Sequence, residues 1–166
     1  MVDYLSRCVV DTSIIIDLHI GKIMTHFFKL PYHFIAPDVI IAELHEPSGT
    51  LLLELGLQQG ELTSDQIVEV LQLRKQYNRP SVNDLFALVL AQVLKATLLT
   101  NDGGLRKVAD QQGITTHGTL WVLDEMVRLM IITPLEAAVA LRTMFEKGSR
   151  LPLDECNKRL QKWLGE

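Results

Sequence analysis

Arg7-Cys8-Val9-Val10-Asp11-Thr12-Ser13 is the stretch from which the rest of the chain is read. An apolar run ends in a carboxylate, two hydroxyl residues follow, and Ile14-Ile15-Ile16 resumes the apolar character. A short apolar run closed by polar residues is the pattern of a buried strand. Thr12 or Ser13 then opens a helix as its N-cap, because a small hydroxyl can accept an orphan N–H of the first turn. In open α/β sheets ligands collect outside the carboxyl ends of the strands, so Asp11 is delivered to a place where chemistry is expected. Alone, it is either a cap or a catalytic carboxylate, and the other acids must decide.

Working outward, strands and helices alternate. Residues 13–26 have helical character with a break at Gly21, and 32–36 form a short strand. Pro37 or Asp38 starts a helix that carries Ile40, Ile41 and Glu43, and Pro47-Ser48-Gly49 breaks it. Residues 51–55 fit helix or strand equally, and 57–62 fit a short strand. Thr63 and Gln66 form a capping box ahead of a helix marked by Ile67, Val70 and Leu71. After the turn Asn78-Arg79-Pro80, Ser81 caps a second helix that is apolar nearly all round over 85–94, the signature of a buried helix. Residues 96–100 form the next strand. Asn101-Asp102-Gly103-Gly104 turns into a helix over 105–112 that Gly113 stops. Residues 114–116 form the last strand and 120–130 a helix. Thr133, Pro134 and Glu136 open a further helix as cap, first residue and N3 acid, and a terminal helix runs from Leu151-Pro152 through Trp163. Such alternation favours a mostly parallel sheet with helices on both faces. The expected organisation is a single domain, with a core over residues 1–132 and a helical extension over 133–166.

The 166 residues suffice for one substantial core, and 48% of them are hydrophobic. No apolar run reaches the ~18 residues needed to span a bilayer, and the N-terminus lacks the basic-then-apolar pattern of a secretion signal. The two cysteines, Cys8 and Cys156, make neither a disulfide framework nor a metal motif. A reducing cytoplasm is the expected location, with no membrane association. The net charge of -4 argues against a broad basic face that grips duplex nucleic acid, though not against a nuclease whose carboxylates await a cation.

Four acids converge in this reading. Asp11 and Asp102 follow two parallel strands and share one edge of the sheet. Asp84 lies in the first turn of the buried helix that feeds the second of those strands, which brings it to the same edge. Glu43 lies about one and a half turns into its helix by the ~3.6-residue period, next to Ile40, Ile41 and Leu44, and is expected to border the buried face. Gathered carboxylates raise one another's pKa and cost stability unless a cation sits among them. Carboxylate oxygens suit Mg²⁺ or Mn²⁺, and such an ion serves phosphodiester hydrolysis. Each acid also has a plainer reading, as a helix-dipole partner for Asp84, turn chemistry for Asp102 and a solvated group for Glu43.

Val10-Asp11-Thr12-Ser13, the segment from Pro37 to Leu44 with Glu43, Ser81-Val82-Asn83-Asp84, and Leu98-Leu99-Thr100-Asn101-Asp102 followed by Leu105 resemble, in order, the four acidic motifs of PIN-domain nucleases. The resemblance covers roughly residues 7–130. It implies a three-layer α/β/α fold with a five-stranded parallel sheet, and Mg²⁺- or Mn²⁺-dependent cleavage of single-stranded RNA. Asp11, Glu43, Asp84 and Asp102 take the metal-binding positions. Thr12 or Ser13 holds water or phosphate, and Asn101 and Arg106 join them as expected substrate contacts. Many relatives in this family are toxins of type II toxin–antitoxin pairs, which implies a homodimer and a small antitoxin partner. The chain departs from the simplest toxins in its helical tail, and Gly103-Gly104 stand where some members carry a further acid.

Other phosphoryl-transfer enzymes on similar sheets fit less well. The haloacid-dehalogenase pattern wants Asp-x-Asp after the first strand, where this chain has Asp11-Thr12-Ser13. A response-regulator receiver wants an acidic pair and a late Lys that are not seen. A non-catalytic PIN-fold binding protein is the remaining alternative. Asp17 is expected to be peripheral, His117 a surface residue, and Trp121 and Trp163 core or dimer contacts. Arg106 and Lys107 either touch the RNA backbone or form a solvated face.

Overall fold

The computed structural model describes residues 6–165. Residues 1–5 and Glu166, the outer ends of the two expected segments and the start of the leader reading, lie outside the described residues. Five strands form one parallel sheet in the order β3-β2-β1-β4-β5. They are β1 (Arg7–Val10), β2 (His33–Pro37), β3 (Gln58–Gly60), β4 (Thr97–Leu99) and β5 (Thr116–His117). The first crossover holds α1 (Thr12–Ile20) and α2 (Met24–Phe27), and the second holds α3 (Asp38–Glu43) and α4 (Gly49–Leu55). The third holds α5 (Ser64–Gln76) and α6 (Val82–Leu94), and the fourth holds α7 (Gly103–Gln111). Three helices complete the chain: α8 (Thr119–Arg128), α9 (Pro134–Glu146) and α10 (Leu153–Leu164).

The expected strands are all present, and the differences are local. The 51–55 segment is helical, as α4, because Ser48 caps its N-terminus through a bond from Leu51 N–H at 3.2 Å. The last strand sits at Thr116–His117, two residues beyond the expected start, where Leu98 and Leu99 of β4 pair with it.

Cys8, Val9 and Val10 of β1 are all buried, so both faces of the central strand are covered. On one face α6 packs across β1, β2 and β4 and meets α3, α5 and α7. Its Leu85, Leu88, Val89 and Leu90 are at most 2% exposed. Each such side chain stabilises the fold by roughly 1.5–3 kcal/mol relative to exposure, which is why a helix without a polar face forms here. On the other face α1, α2, α8 and α9 pack together and α10 lies on α9. Ala137, Leu141, Met144, Cys156 and Trp163 join the same continuous core. The result is a three-layer α/β/α fold.

The sheet order places a topological switch between β1 and β4. The chain leaves β1 towards β2 on one side, then returns to the opposite side of β1 as β4. Helix α1 follows β1 into one layer and α7 follows β4 into the other, so a crevice opens between their N-termini.

Candidate functional site

Asp11 and Asp102 both stand at that crevice. The Asp11 N–H donates to the Leu99 carbonyl at 3.0 Å, which continues the β1–β4 pairing one residue past β1. The Asp11 carboxylate is 2% exposed and accepts three bonds: from Thr12 N–H at 2.8 Å, Ser13 hydroxyl at 3.1 Å and Thr100 hydroxyl at 2.7 Å. Asp11 itself is therefore the N-cap of α1, where Thr12 or Ser13 was expected. The fully buried Thr100 hydroxyl also accepts the Asp102 N–H at 3.1 Å, so one side chain ties both acids together. Asp102 is exposed and caps α7 through Leu105 N–H at 2.8 Å.

Glu43 is the last residue of α3 and is exposed, so it points out of the core that it was expected to border. One of its oxygens accepts the Thr12 hydroxyl at 3.2 Å and the other the Asn83 amide N–H at 2.6 Å. Asp84, next to Asn83, is half-buried and closes a capping box with Ser81 at 2.8 and 3.0 Å. A chain of bonds thus runs Asn83, Glu43, Thr12, Asp11, Thr100, Asp102, with Asp84 beside its first member. Burial pushes the Asp11 carboxyl up to about 6, and the Asp84 charge adds to the rise against the bonds from Thr100, Thr12 and Ser13.

Three of the four acids sit at helix N-termini: Asp11 and Asp102 as caps of α1 and α7, and Asp84 at N3 of α6. The partial positive charge of each helix end offsets part of the repulsion among them. The plainer readings of Asp84 and Asp102 as helix-start acids are thus correct as local structure, and the same positions bring them to the crevice. Among the described residues, no three His, Cys, Asp or Glu side chains are already drawn together as a closed ligand set.

Of the other expected contacts, Ser13 is locked between Asp11 and the Asn101 N–H, which it accepts at 3.0 Å. The Asn101 side chain faces inward. Its amide nitrogen donates to Asp17 and Thr119, both at 2.6 Å, and its oxygen accepts the Thr119 N–H at 2.9 Å. Arg106 is exposed on α7, with a guanidinium nitrogen 3.3 Å from where a Cβ on Gly118 would stand.

Sequence reasoning missed Thr100, Asn83 and Asp17. Asp17, expected to be peripheral, is 7% exposed and accepts from Asn101, from the Thr119 hydroxyl at 2.9 Å and from the Ser149 hydroxyl at 2.7 Å. Burial raises its pKa against the bonds from Ser149 and Thr119. Ser149 of the α9–α10 linker thereby holds Asp17, which in turn accepts from Asn101, the residue before Asp102. His117 is half-buried and stacks on Trp121, with ring centroids 4.3 Å apart and planes 7° apart. Trp163 is a core residue.

No helix among the described residues is long and apolar enough to cross a membrane. No curated protein matches the chain. A family model, DUF3368, described as a PIN domain, matches residues 7–164. PIN domains are generally nucleases and typically use divalent metal ions. The match runs from the first residue of β1 to the last of α10 and takes in all four acids, so this chain belongs to the PIN-domain family.

Proposed function

We propose that this chain is an endoribonuclease that cuts single-stranded RNA with the help of Mg²⁺ or Mn²⁺. The observation that carries the reading is the bonded chain joining Glu43, Asp11 and Asp102 across the β1–β4 switch, with Asp84 close enough to raise Asp11. The donor set fits a hard divalent cation: carboxylate and hydroxyl oxygens, with no thiolate or imidazole among them. Mg²⁺ keeps several of its waters, so carboxylates that stand apart can hold it partly through water.

Asp11, Asp84 and Asp102 would hold the ion, with Glu43 bound directly or through water. When bound, the ion supplies Lewis-acid stabilisation of the charge that builds on a phosphodiester under attack. The chain's own residues do the positioning. Thr100 and Ser13 fix one oxygen of Asp11, and Thr12 N–H fixes the other. Asn83 and the Thr12 hydroxyl hold Glu43, an exposed carboxylate placed to take a proton from an attacking water. The Thr12 hydroxyl and the exposed Arg106 are the proposed substrate contacts on this rim, whereas Ser13 and Asn101 act by holding Asp11 and the turn before Asp102.

The test is cleavage of end-labelled single-stranded RNA by purified protein with Mg²⁺ or Mn²⁺ and with EDTA. Cleavage with metal only, lost in folded Asp11→Asn, supports the proposal. Equal cleavage by Asp11→Asn refutes it, and a wild type that binds RNA without cutting it favours the non-catalytic binding protein. The proposed biological role is the toxin of a type II toxin–antitoxin pair, dimeric and silenced by a small partner. Expression alone then arrests growth and degrades RNA, and co-expression of the small neighbouring reading frame restores both. Unimpaired growth at full expression removes the toxin role.

A further inference from the structure

We propose that the cavity bounded by His117, Trp121 and Arg106 is a nucleotide subsite, in which a base lies against the aromatic pair and Arg106 meets its phosphate. The inference rests on the ribonuclease reading above and names the part of the strand that the protein grips beside the cut.

The cavity measures about 410 Å³ and begins where the site ends. Asn101, which precedes Asp102, and Arg106, four residues after it, both line this cavity. A space of this size lies within the roughly 300–1,000 Å³ of small-molecule sites. His117 and Trp121 lie nearly parallel, and Tyr32 backs the indole at a centroid distance of 5.8 Å. The pile is anchored, because the Tyr32 hydroxyl donates to Glu125 at 2.6 Å and Arg128 clamps Glu125 at 2.9 and 2.8 Å. Rigid rings give a stacking surface at little entropic cost. Burial, with the Arg106 charge, pushes the His117 pKa down, which favours the neutral ring.

The two guanidinium groups of the cavity differ. Arg159 is committed to Asp124 at 2.8 Å and Glu155 at 3.2 Å. Arg106 has no carboxylate partner among the described residues, although it stands beside an acidic site. Gly118 keeps the approach open, since a Cβ there would stand 3.3 Å from the Arg106 guanidinium and 2.6 Å from the Asn101 amide oxygen. Flat rings, apolar walls from Leu120 and Leu151, and one uncommitted guanidinium together suit a heteroaromatic base that carries a phosphate.

Trp121 reports on the cavity, because the only other tryptophan, Trp163, is buried in the core. The protein is titrated in EDTA with AMP, UMP and sodium phosphate while tryptophan fluorescence is followed. Saturable quenching by AMP and UMP but not by phosphate is expected. His117→Ala should weaken it roughly fivefold to a hundredfold, the range for loss of one base–aromatic stack. On single-stranded RNA, His117→Ala and the exposed-site variant Arg106→Gln should raise KM by a similar factor and leave kcat within about twofold. A protein that cuts RNA but shows no nucleotide quenching, or whose KM is unchanged in both folded variants, overturns the subsite and leaves the nuclease reading intact. Quenching that His117→Ala abolishes, in a protein that never cuts RNA, keeps the subsite and overturns the nuclease.

Discussion

Asp11→Asn should make the metal-free protein more stable near neutral pH while destroying its activity. The Asp11 carboxyl is raised from 3.8 to about 6, first by burial and then by the Asp84 charge. A folded-state pKa above the unfolded one means that ionisation favours unfolding. The cost is absent below pH 3.8, grows as pH rises, and is complete above about 6. A rise of roughly two pH units at 1.36 kcal/mol each is about 3 kcal/mol. Asparagine resembles the uncharged form. Its oxygen can still accept the Thr12 N–H, but its amide nitrogen cannot accept from Thr100 or Ser13, so about 2 kcal/mol is returned for the two lost bonds. A net gain of about 1 kcal/mol remains, or roughly 2–4 °C in Tm for a chain of this size. Thermal unfolding in EDTA at pH 7.5 and at pH 4.5 checks this. The gain should be present at 7.5 and largely gone at 4.5. If Asp11→Asn is less stable than wild type at pH 7.5, or its effect does not change with pH, the buried-carboxylate argument is wrong.

Three further substitutions examine the frame around the acids. Thr100→Val keeps shape but removes the donor to Asp11 and the acceptor for Asp102 N–H; it should cost about 2–3 kcal/mol in urea unfolding and lower kcat. Gly118→Ala brings a Cβ to 2.6 Å from the Asn101 amide oxygen at a backbone angle that alanine tolerates, so a loss of about 1–3 kcal/mol is steric, and a neutral result would mean the turn has room. Asp17→Ala leaves Asn101, Thr119 and Ser149 donors without their acceptor and should lower Tm by several degrees even with metal present, as calorimetry will show.

The legible parts of this chain are those that local chemistry writes into neighbouring residues. Apolar runs ending in Asp11 and Asn101-Asp102 mark strand ends, the boxes at Thr63 and Thr133 form as the sequence indicates, and the expected cap Ser81 closes a box as well. Alternation then implies a parallel sheet, which puts the strand-end acids on one edge, whereas the strand order β3-β2-β1-β4-β5 is visible only in the structure. What stayed hidden depends on distant packing. Thr100 reads as an ordinary strand-end hydroxyl, and only the β1–β4 pairing aims it at a carboxylate 89 residues away. Asp17 lies one turn after Ser13 on α1, where a lone helix would leave it in water; Thr119 at the start of α8 and Ser149 of the α9–α10 linker cover it, with Ser149 132 residues away. Asn83 looks like part of a helix cap until α3 brings Glu43 to it. The β5 start moved because its register is set by hydrogen bonds to β4, not by the Ile114 side chain.

The central claim, that carboxylates from three crossovers share one divalent cation, is tested most directly by soaking crystals in Mn²⁺ and recording the anomalous signal. One peak in contact with Asp11, and with at least one of Asp84 and Asp102, is predicted, and it should vanish from Asp84→Asn crystals. A peak elsewhere, or none at Mn²⁺ concentrations that support activity, contradicts the account.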